Sequence, residues 1–424
     1  MSKTEIYDNI IIGAGIAGLY AAYLIRKHTK QSVIILEKHP KSGLGGRIGT
    51  EMFYGVEIKS GAGIGRSTDK VLIGLLREFG FPIELHRSSI EYSPKFTENI
   101  DVMKIVRTLR KIYKESKNEN NTEPDKKIQT FREFAIEHLG LSLYKKFIER
   151  VGYQDYENTD IEEALYYYGF EDTVCCGTNF YPKWREFIQK LYDFIGKNNF
   201  RFSQNIEKMN PKNIENNFPK NFPKNIYEII SDSGKQYLGK RIIIATTVTG
   251  IRKLLPQYPI YREISGQPFL RLYGKFSKTS SQIIASYVKT YMVVPGIIQK
   301  VIPINSDKGV YMICYNDNSN AIQLFKKKRI ENTPENRRFF ERELEKAIGI
   351  PDSSLELIAI KAFFWEIGTH YYSPLDRSQY KTRNQFIKEA QHPAENILVV
   401  GEMVSRKQGW TEGALESVEK AFQL

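Results

Sequence analysis

The sequence predicts an α/β protein. One domain binds a dinucleotide on a parallel sheet, and a second, of mixed sheet plus helices, is assembled from discontinuous segments. Three observations carry this. The chain opens with an apolar run into Gly13-x-Gly15-x-x-Gly18, a helical pattern, and a second apolar run that ends at Glu37. Strand and helix patterns then alternate through residues 260–395. A last buried-type run, Asn396–Val400, stops at Gly401-Glu402. With 424 residues, two domains are the expected number.

Each element of the opening has a physical reason. Gly13 permits the tight turn, Gly15 lets a pyrophosphate approach the backbone, and Gly18 lets the helix pack on the strand. Ile16 and Ala17 begin that helix, whose free N–H groups and positive end suit phosphate. Glu37 lies 19 residues beyond Gly18, where a carboxylate accepts bonds from ribose hydroxyls, and Lys38 follows it. Two more glycine clusters come soon after. In Gly45-Gly46-Arg47 the glycines allow close approach and Arg47 can pair with a phosphate. The second is Gly61-Ala62-Gly63. Alone, each cluster is a turn; three within about 50 residues favour one shared ligand.

Residues 70–170 read as mostly helical. Val71, Leu72, Leu75, Leu76 and Phe79 mark one helix closed by Gly80. Val102, Ile105, Leu109 and Ile112 form a stripe, with Lys104, Arg107, Lys111 and Lys114 on a solvated face. Residues 116–127 read as a polar loop, and Phe131–Arg150 as helix. Trp184, Phe187, Ile188, Leu191 and Phe194 read as a core stripe. The repeat Asn217-Phe218-Pro219-Lys220, Asn221-Phe222-Pro223-Lys224 reads as an exposed insertion in a hairpin. Ile226–Ile230, Arg241–Ala245, Phe269–Phe276, Tyr291–Val294, Val310–Tyr315 and Leu357–Phe364 are strand candidates. Residues 335–348 form a charged helix, and a last helix runs through Ser417 and Ala421. The expected division is 1–80, 176–250 and 395–424 for the dinucleotide domain, with 81–175 and 251–394 for the substrate domain.

Composition excludes several classes. At 41% apolar and 26% charged the chain reads as soluble and globular. The net charge of +13 has no nucleic-acid motif beside it, so it speaks of solubility and steering. Three cysteines, Cys175, Cys176 and Cys314, give neither a disulfide framework nor zinc spacing, so no metal is expected. The start runs straight into the first strand, and no spanning or anchoring segment is seen; a cytoplasmic location is the expectation.

The glycine-rich opening, the Gly45-Gly46-Arg47 loop and the ending Gly401-Glu402…Gly409-Trp410-Thr411-Glu412-Gly413-Ala414-Leu415-Glu416-Ser417 together resemble the flavin-dependent amine oxidase family. The resemblance is strong at the ends and weaker in the middle. It implies a Rossmann-like FAD-binding domain with a substrate domain beside it. It implies that Gly13, Gly15 and Gly18 hold the FAD pyrophosphate and Glu37 the adenosine ribose. Arg47 and Gly46 would lie along the ribityl and phosphate region, and the Ile206 backbone at the adenine. Gly401 and Glu402 would sit near the phosphates, and Gly409, Trp410, Thr411 and Ala414 by the ring system. Trp410 would be one wall of an aromatic cage for the amine, favouring it through its ring face. The second wall would come from His370 or Tyr371. The family's lysine that holds water at flavin N5 is matched by Arg271 in the best register, with Lys275 as the alternative. Thr369 stands where covalent members carry cysteine, so FAD would be non-covalent. The implied reaction takes hydride from a small-molecule amine to flavin N5. It gives an imine and, with molecular oxygen, hydrogen peroxide. Relatives of the fold that act on polyenes or porphyrinogens, and a decayed FAD-binding protein, are the alternatives. Glu171 and Asp172 are conceivable carboxylates for a polyamine, though they read better as surface charges. Neither the amine nor the oligomeric state follows from the sequence.

Overall fold

The computed structural model describes residues 5–87, 89–119, 129–171, 177–213 and 225–423. The first sheet is built on the strand Ile6–Ile12. It pairs in parallel with Val33–Leu36 on one side and Gln236–Ile244 on the other. Phe200–Arg201 adds beyond Leu36, and Ile397–Val399 lies parallel to Ile242–Ile244. Ile10–Ile12, Val33–Leu36, Ile242–Ile244 and Ile397–Val399 are unbroken apolar runs because both faces are covered there. Ile11, Ile35 and Ile243 pack under the helices Ile16–His28, Trp184–Ile195 and Thr411–Phe422. Ile10, Ile12, Ile34, Ile242 and Ile244 face the opposite layer with Val248, Ile251 and Phe386. Each such side chain contributes roughly 1.5–3 kcal/mol of burial.

Two antiparallel strands, Ile206–Asn213 and Asn225–Ser231, continue the sheet past Gln236–Gly239. Pro211 is tolerated because Ile206–Asn213 is an edge strand. The Asn-Phe-Pro-Lys repeat, Cys175, Cys176 and Asp172 lie outside the described residues.

The second sheet has six strands. The long strands Ile264–Phe276 and Leu357–Tyr372 pair antiparallel, followed by Val310–Asp317, Lys300–Asn305, Tyr291–Val293 and Ile90–Tyr92. Leu357–Tyr372 runs well past the expected end at Phe364, because Ile264–Gln267 continues to pair with Thr369–Tyr372. One face, with Leu270, Leu272 and Ile313, is covered by the helices Asn318–Lys326 and Pro334–Ile348. The other face presents Phe269, Arg271 and Tyr273 towards the glycine turn at 59–63: the Tyr273 hydroxyl donates to Lys59 O at 2.7 Å, and Trp365 Nε1 donates to Ser60 O at 2.6 Å.

A helical layer, Val102–Glu119, Phe131–Val151 and Ile161–Tyr166, has its own core around Val106, Leu109, Phe131 and Phe147. Of the loop expected at 116–127, residues 116–119 are still helix, and 120–127 lie outside the described residues. Phe194 leaves the expected core stripe: it is 46% exposed, with its ring tilted against Tyr23 at 4.9 Å between centroids.

Candidate functional site

The cradle is made first by backbone. The helix Ile16–His28 has Gly15 as its N-cap, no side-chain cap and no acid in its first turn, while Arg26, Lys27 and His28 sit at its far end. Its positive end is therefore left for an anion. The three glycines differ in kind. A Cβ on Gly18 would meet Gly13 O at 2.0 Å, and one on Gly13 would meet Ala245 O at 2.5 Å. A Cβ on Gly15 would meet nothing within 4 Å. So Gly13 and Gly18 are demanded by packing, whereas Gly15 borders open space. Gly46 borders the same space, with Gly15 Cα at 3.5 Å from its notional Cβ. The Gly45 N–H donates to Ala14 O at 3.0 Å and fixes the two loops side by side.

Glu37 closes the first loop. Its carboxylate accepts from Ala14 N at 2.7 Å and His39 N at 2.8 Å. Further lone pairs remain for hydroxyl donors. Gln204 N donates to Glu37 O, which brings the chain just before Ile206 alongside; the Ile206 side chain is in the core with Ile34 and Leu36. Ile16, Ala17, Thr411 and Ala414 are buried helix-start residues, and Lys38 points to solvent. Gly61 sits against Arg47 O, and the Ala62 N–H donates to that same oxygen at 2.8 Å.

Glu402 joins the distant parts. Buried to 5%, it accepts from Arg47 Nη1 at 2.8 Å, from His370 Nδ1 at 2.5 Å and from Gly409 N at 2.9 Å. Arg47 also donates to Gly368 O. Burial alone would raise the Glu402 pKa; His370, Arg47 and the Gly409 N–H outweigh it and hold the carboxyl well below the ordinary range. Gly401, at φ 132 with open space at its notional Cβ, precedes it.

This hub changes the role expected of His370. Its Nε2 accepts from Val248 N at 3.1 Å, so the proton sits on Nδ1 and goes to Glu402. With both nitrogens engaged and the side chain fully buried, His370 holds the hub in place and is not a wall. Tyr371 faces the other way on the strand and is partly exposed. Lys275 is also elsewhere: it donates to Lys308 O at 2.6 Å near the strand's end. Arg271 is the residue aimed at the glycine turn, with its Nη1 3.1 Å from the notional Cβ of Gly63.

Trp410 is the N-cap of the final helix, set by the Gly409 bond to Glu402. Its ring carries the Arg66 guanidinium at 3.2 Å from the centroid. One face expected for an amine is thus covered by a protein cation. Beyond Arg271 lies an aromatic group that the sequence did not single out. Tyr153, Phe269 and Tyr315 meet with ring centroids 5.6–6.5 Å apart. Tyr315 pairs with Arg271 across the strands, and Phe269 packs on Gly368. Tyr153 and Tyr315 come from far segments, and no local spacing links either to Arg271. Lys59 was also missed. It donates to Gly63 O at 2.6 Å, and burial, then the Arg271 guanidinium, pushes it down to about 8.

A cleft of about 850 Å³ between the helix Phe131–Val151 and the turn at Gly296–Gln299 contains none of the candidate site residues. Among the described residues no cluster of His, Cys, Asp or Glu could hold a metal. Among them, too, no helix is long and apolar enough to cross a membrane.

Residues 11–79 match the family model of an NAD(P)-binding Rossmann-like domain. The search of curated proteins finds no match. Among solved structures, the chain is similar to putrescine oxidase bound to putrescine, with TM-score 0.72 and 14% identity over 99% of both chains. It is also similar to cyclohexylamine oxidase from Brevibacterium oxydans IH-35A, with TM-score 0.73 and 16% identity over 98% of both chains. At such identity the likeness establishes a shared fold over the whole chain.

Proposed function

We propose that this chain is an FAD-dependent amine oxidase. The observation that carries the reading is the Glu402 hub, which joins the Arg47 loop, the Leu357–Tyr372 strand and the Trp410 loop, while the Gly45 bond to Ala14 O sets the Arg47 loop beside the Gly13–Gly18 turn. The likeness to putrescine oxidase and cyclohexylamine oxidase supports it. The residues fit the cofactor: Gly15, Gly46 and Gly401 leave room where a Cβ would fill a cradle. Gly15, Ile16, Ala17 and Gly46 would take the pyrophosphate, Glu37 the adenosine ribose, the Ile206 backbone the adenine, and Arg47 the ribityl-phosphate region. Thr369 offers a hydroxyl, already receiving Gln267 Nε2 at 3.1 Å, so attachment would be non-covalent.

When bound, FAD would accept hydride from the α-carbon of a neutral amine and pass the electrons to oxygen, giving hydrogen peroxide. The protein's part is placement. Glu402 stays ionised and fixes Trp410 through Gly409. Arg271 and the Tyr153–Phe269–Tyr315 group would bound the substrate side, and Trp410 would orient the substrate.

The test is direct. The purified protein is expected to be yellow or to take up FAD, and to lose its flavin absorbance under anaerobic amines, with peroxide formed when air returns. Bound FAD that no amine reduces would end the proposal. A second reading, oxidation of a non-amine substrate, draws on the Arg66 cover on Trp410 and the engagement of His370. Bleaching only by polyenes or porphyrinogens would select it.

A further inference from the structure

We infer that the substrate carries an anionic group, a carboxylate in the simplest case, and that Arg271 receives it; this rests on the amine-oxidase reading above. Arg271 stands on an interior strand of the six-stranded sheet, paired on both sides, and is directed at the Gly61–Gly63 turn. Its neighbours are aromatic: the Tyr315 ring at 4.5 Å and the Tyr273 hydroxyl. Among the described residues it makes no ion pair with a carboxylate, although ion pairs are common elsewhere in the chain. Tyr315 and Tyr273 offset the desolvation of the guanidinium, but neither is a carboxylate, so an anion beside it would add the charge partner that the strand does not supply. Guanidinium matches carboxylate as a two-pronged donor.

The surrounding charges point the same way. Lys59 lies on the glycine turn, and Arg66 covers a face of Trp410. The nearby acids are already committed: Asp317 accepts from Gln154 N, Asp155 accepts from the Tyr168 hydroxyl, and both act on the buried Lys300. Glu402 is taken by Arg47, His370 and Gly409; Asp69 accepts from Arg66 N; Glu57 is exposed, 3.8 Å from Arg185. Glu171, the carboxylate that a polyamine would have wanted, is exposed and bound to Arg110. A dication would meet guanidinium where it needs carboxylate. The neutral amine end of an anionic substrate meets no such conflict.

The experiment separates this inference from the parent reading by measuring binding as well as turnover. FAD-loaded protein is titrated with benzoate and with benzylamine, read by perturbation of the flavin spectrum and by thermal shift. Benzoate is expected to bind and to protect. Arg271→Gln should weaken benzoate by roughly 30-fold or more, the usual result of removing one partner of an enclosed charge pair. Arg271→Lys should lose roughly tenfold, keeping charge without the fork. Matched substrates then report turnover: phenylalanine against 2-phenylethylamine, and ornithine against putrescine. Preference for the carboxylate-bearing member of each pair supports the inference. Failure of benzoate to bind, or equal binding by Arg271→Gln, overturns it. So does an Arg271→Gln variant that changes only the rate with oxygen, which would assign Arg271 to the flavin alone. Reduction by putrescine and 2-phenylethylamine but not by the amino acids also overturns it, while leaving amine oxidation standing.

Discussion

At the residue scale, the glycine fingerprint separates into two chemistries. Gly13 and Gly18 are required by the protein itself, since a Cβ there strikes backbone oxygen. Gly15 is required only by what comes close to it. Gly18→Ala should therefore unfold or strongly destabilise the chain, by roughly 3 kcal/mol or more for so tight a contact. Gly15→Ala should melt within about 1 kcal/mol of the parent and lose FAD affinity at least tenfold. Thermal melts with and without FAD decide between them. Glu402 gives a pH prediction. Its folded pKa lies below the unfolded value of 4.5, so its contribution is complete above that value and is lost as pH falls through the folded pKa. Glu402→Gln should cost roughly 3 kcal/mol near neutrality and flatten stability against pH below 4.5. A parent and variant with parallel acid-unfolding curves would contradict that. Glu402 and Trp410 were legible as motif members, whereas the partners of Glu402 were not. His370 sits in the middle of a strand, and a strand pattern does not say which atom its ring meets across the fold.

At the element scale, one helix start is held by another helix, although others, such as Phe131–Val151 with its Thr130 capping box, are capped locally. The helix Lys70–Glu78 has no side-chain cap from Asp69; the buried Glu412 accepts from Val71 N at 3.0 Å and Leu72 N at 2.9 Å. Glu412→Ala should cost about 1–2 kcal/mol and raise hydrogen exchange at the start of Lys70–Glu78 before any change in the central sheet. In Phe131–Val151, Gly140 has φ 73 with open space at its notional Cβ. Gly140→Ala should destabilise by about 1 kcal/mol through backbone conformation alone, measurable as a small fall in melting temperature. Buried strands were easy to read because unbroken apolar runs need two covered faces. Strand ends were harder. The expected stop at Phe364 failed because polar Thr369 and His370 have partners in the sheet and in Glu402.

At the scale of the whole molecule, ligand and fold should be linked. A group gripped by segments as distant as Gly15, Gly46 and Gly401 binds only the folded chain. Saturating FAD is therefore expected to add about 2.7 kcal/mol at a hundredfold excess over Kd, seen as a concentration-dependent rise in melting temperature. No rise with added FAD, in protein that is colourless, would remove the cofactor from the account.

By itself the sequence determined the parallel sheet, its glycine turn and the return of the last strand, because these rest on local patterns: unbroken apolar runs, glycine spacing and a carboxylate at fixed distance. It also narrowed the cationic strand residue to Arg271 or Lys275. Only the tertiary structure decided that Arg271 points to the glycine turn, that His370 is bound to Glu402 and that Arg66 lies on Trp410. Those facts depend on pairings between remote segments and on side-chain direction across a sheet, and no periodicity along a single segment encodes them.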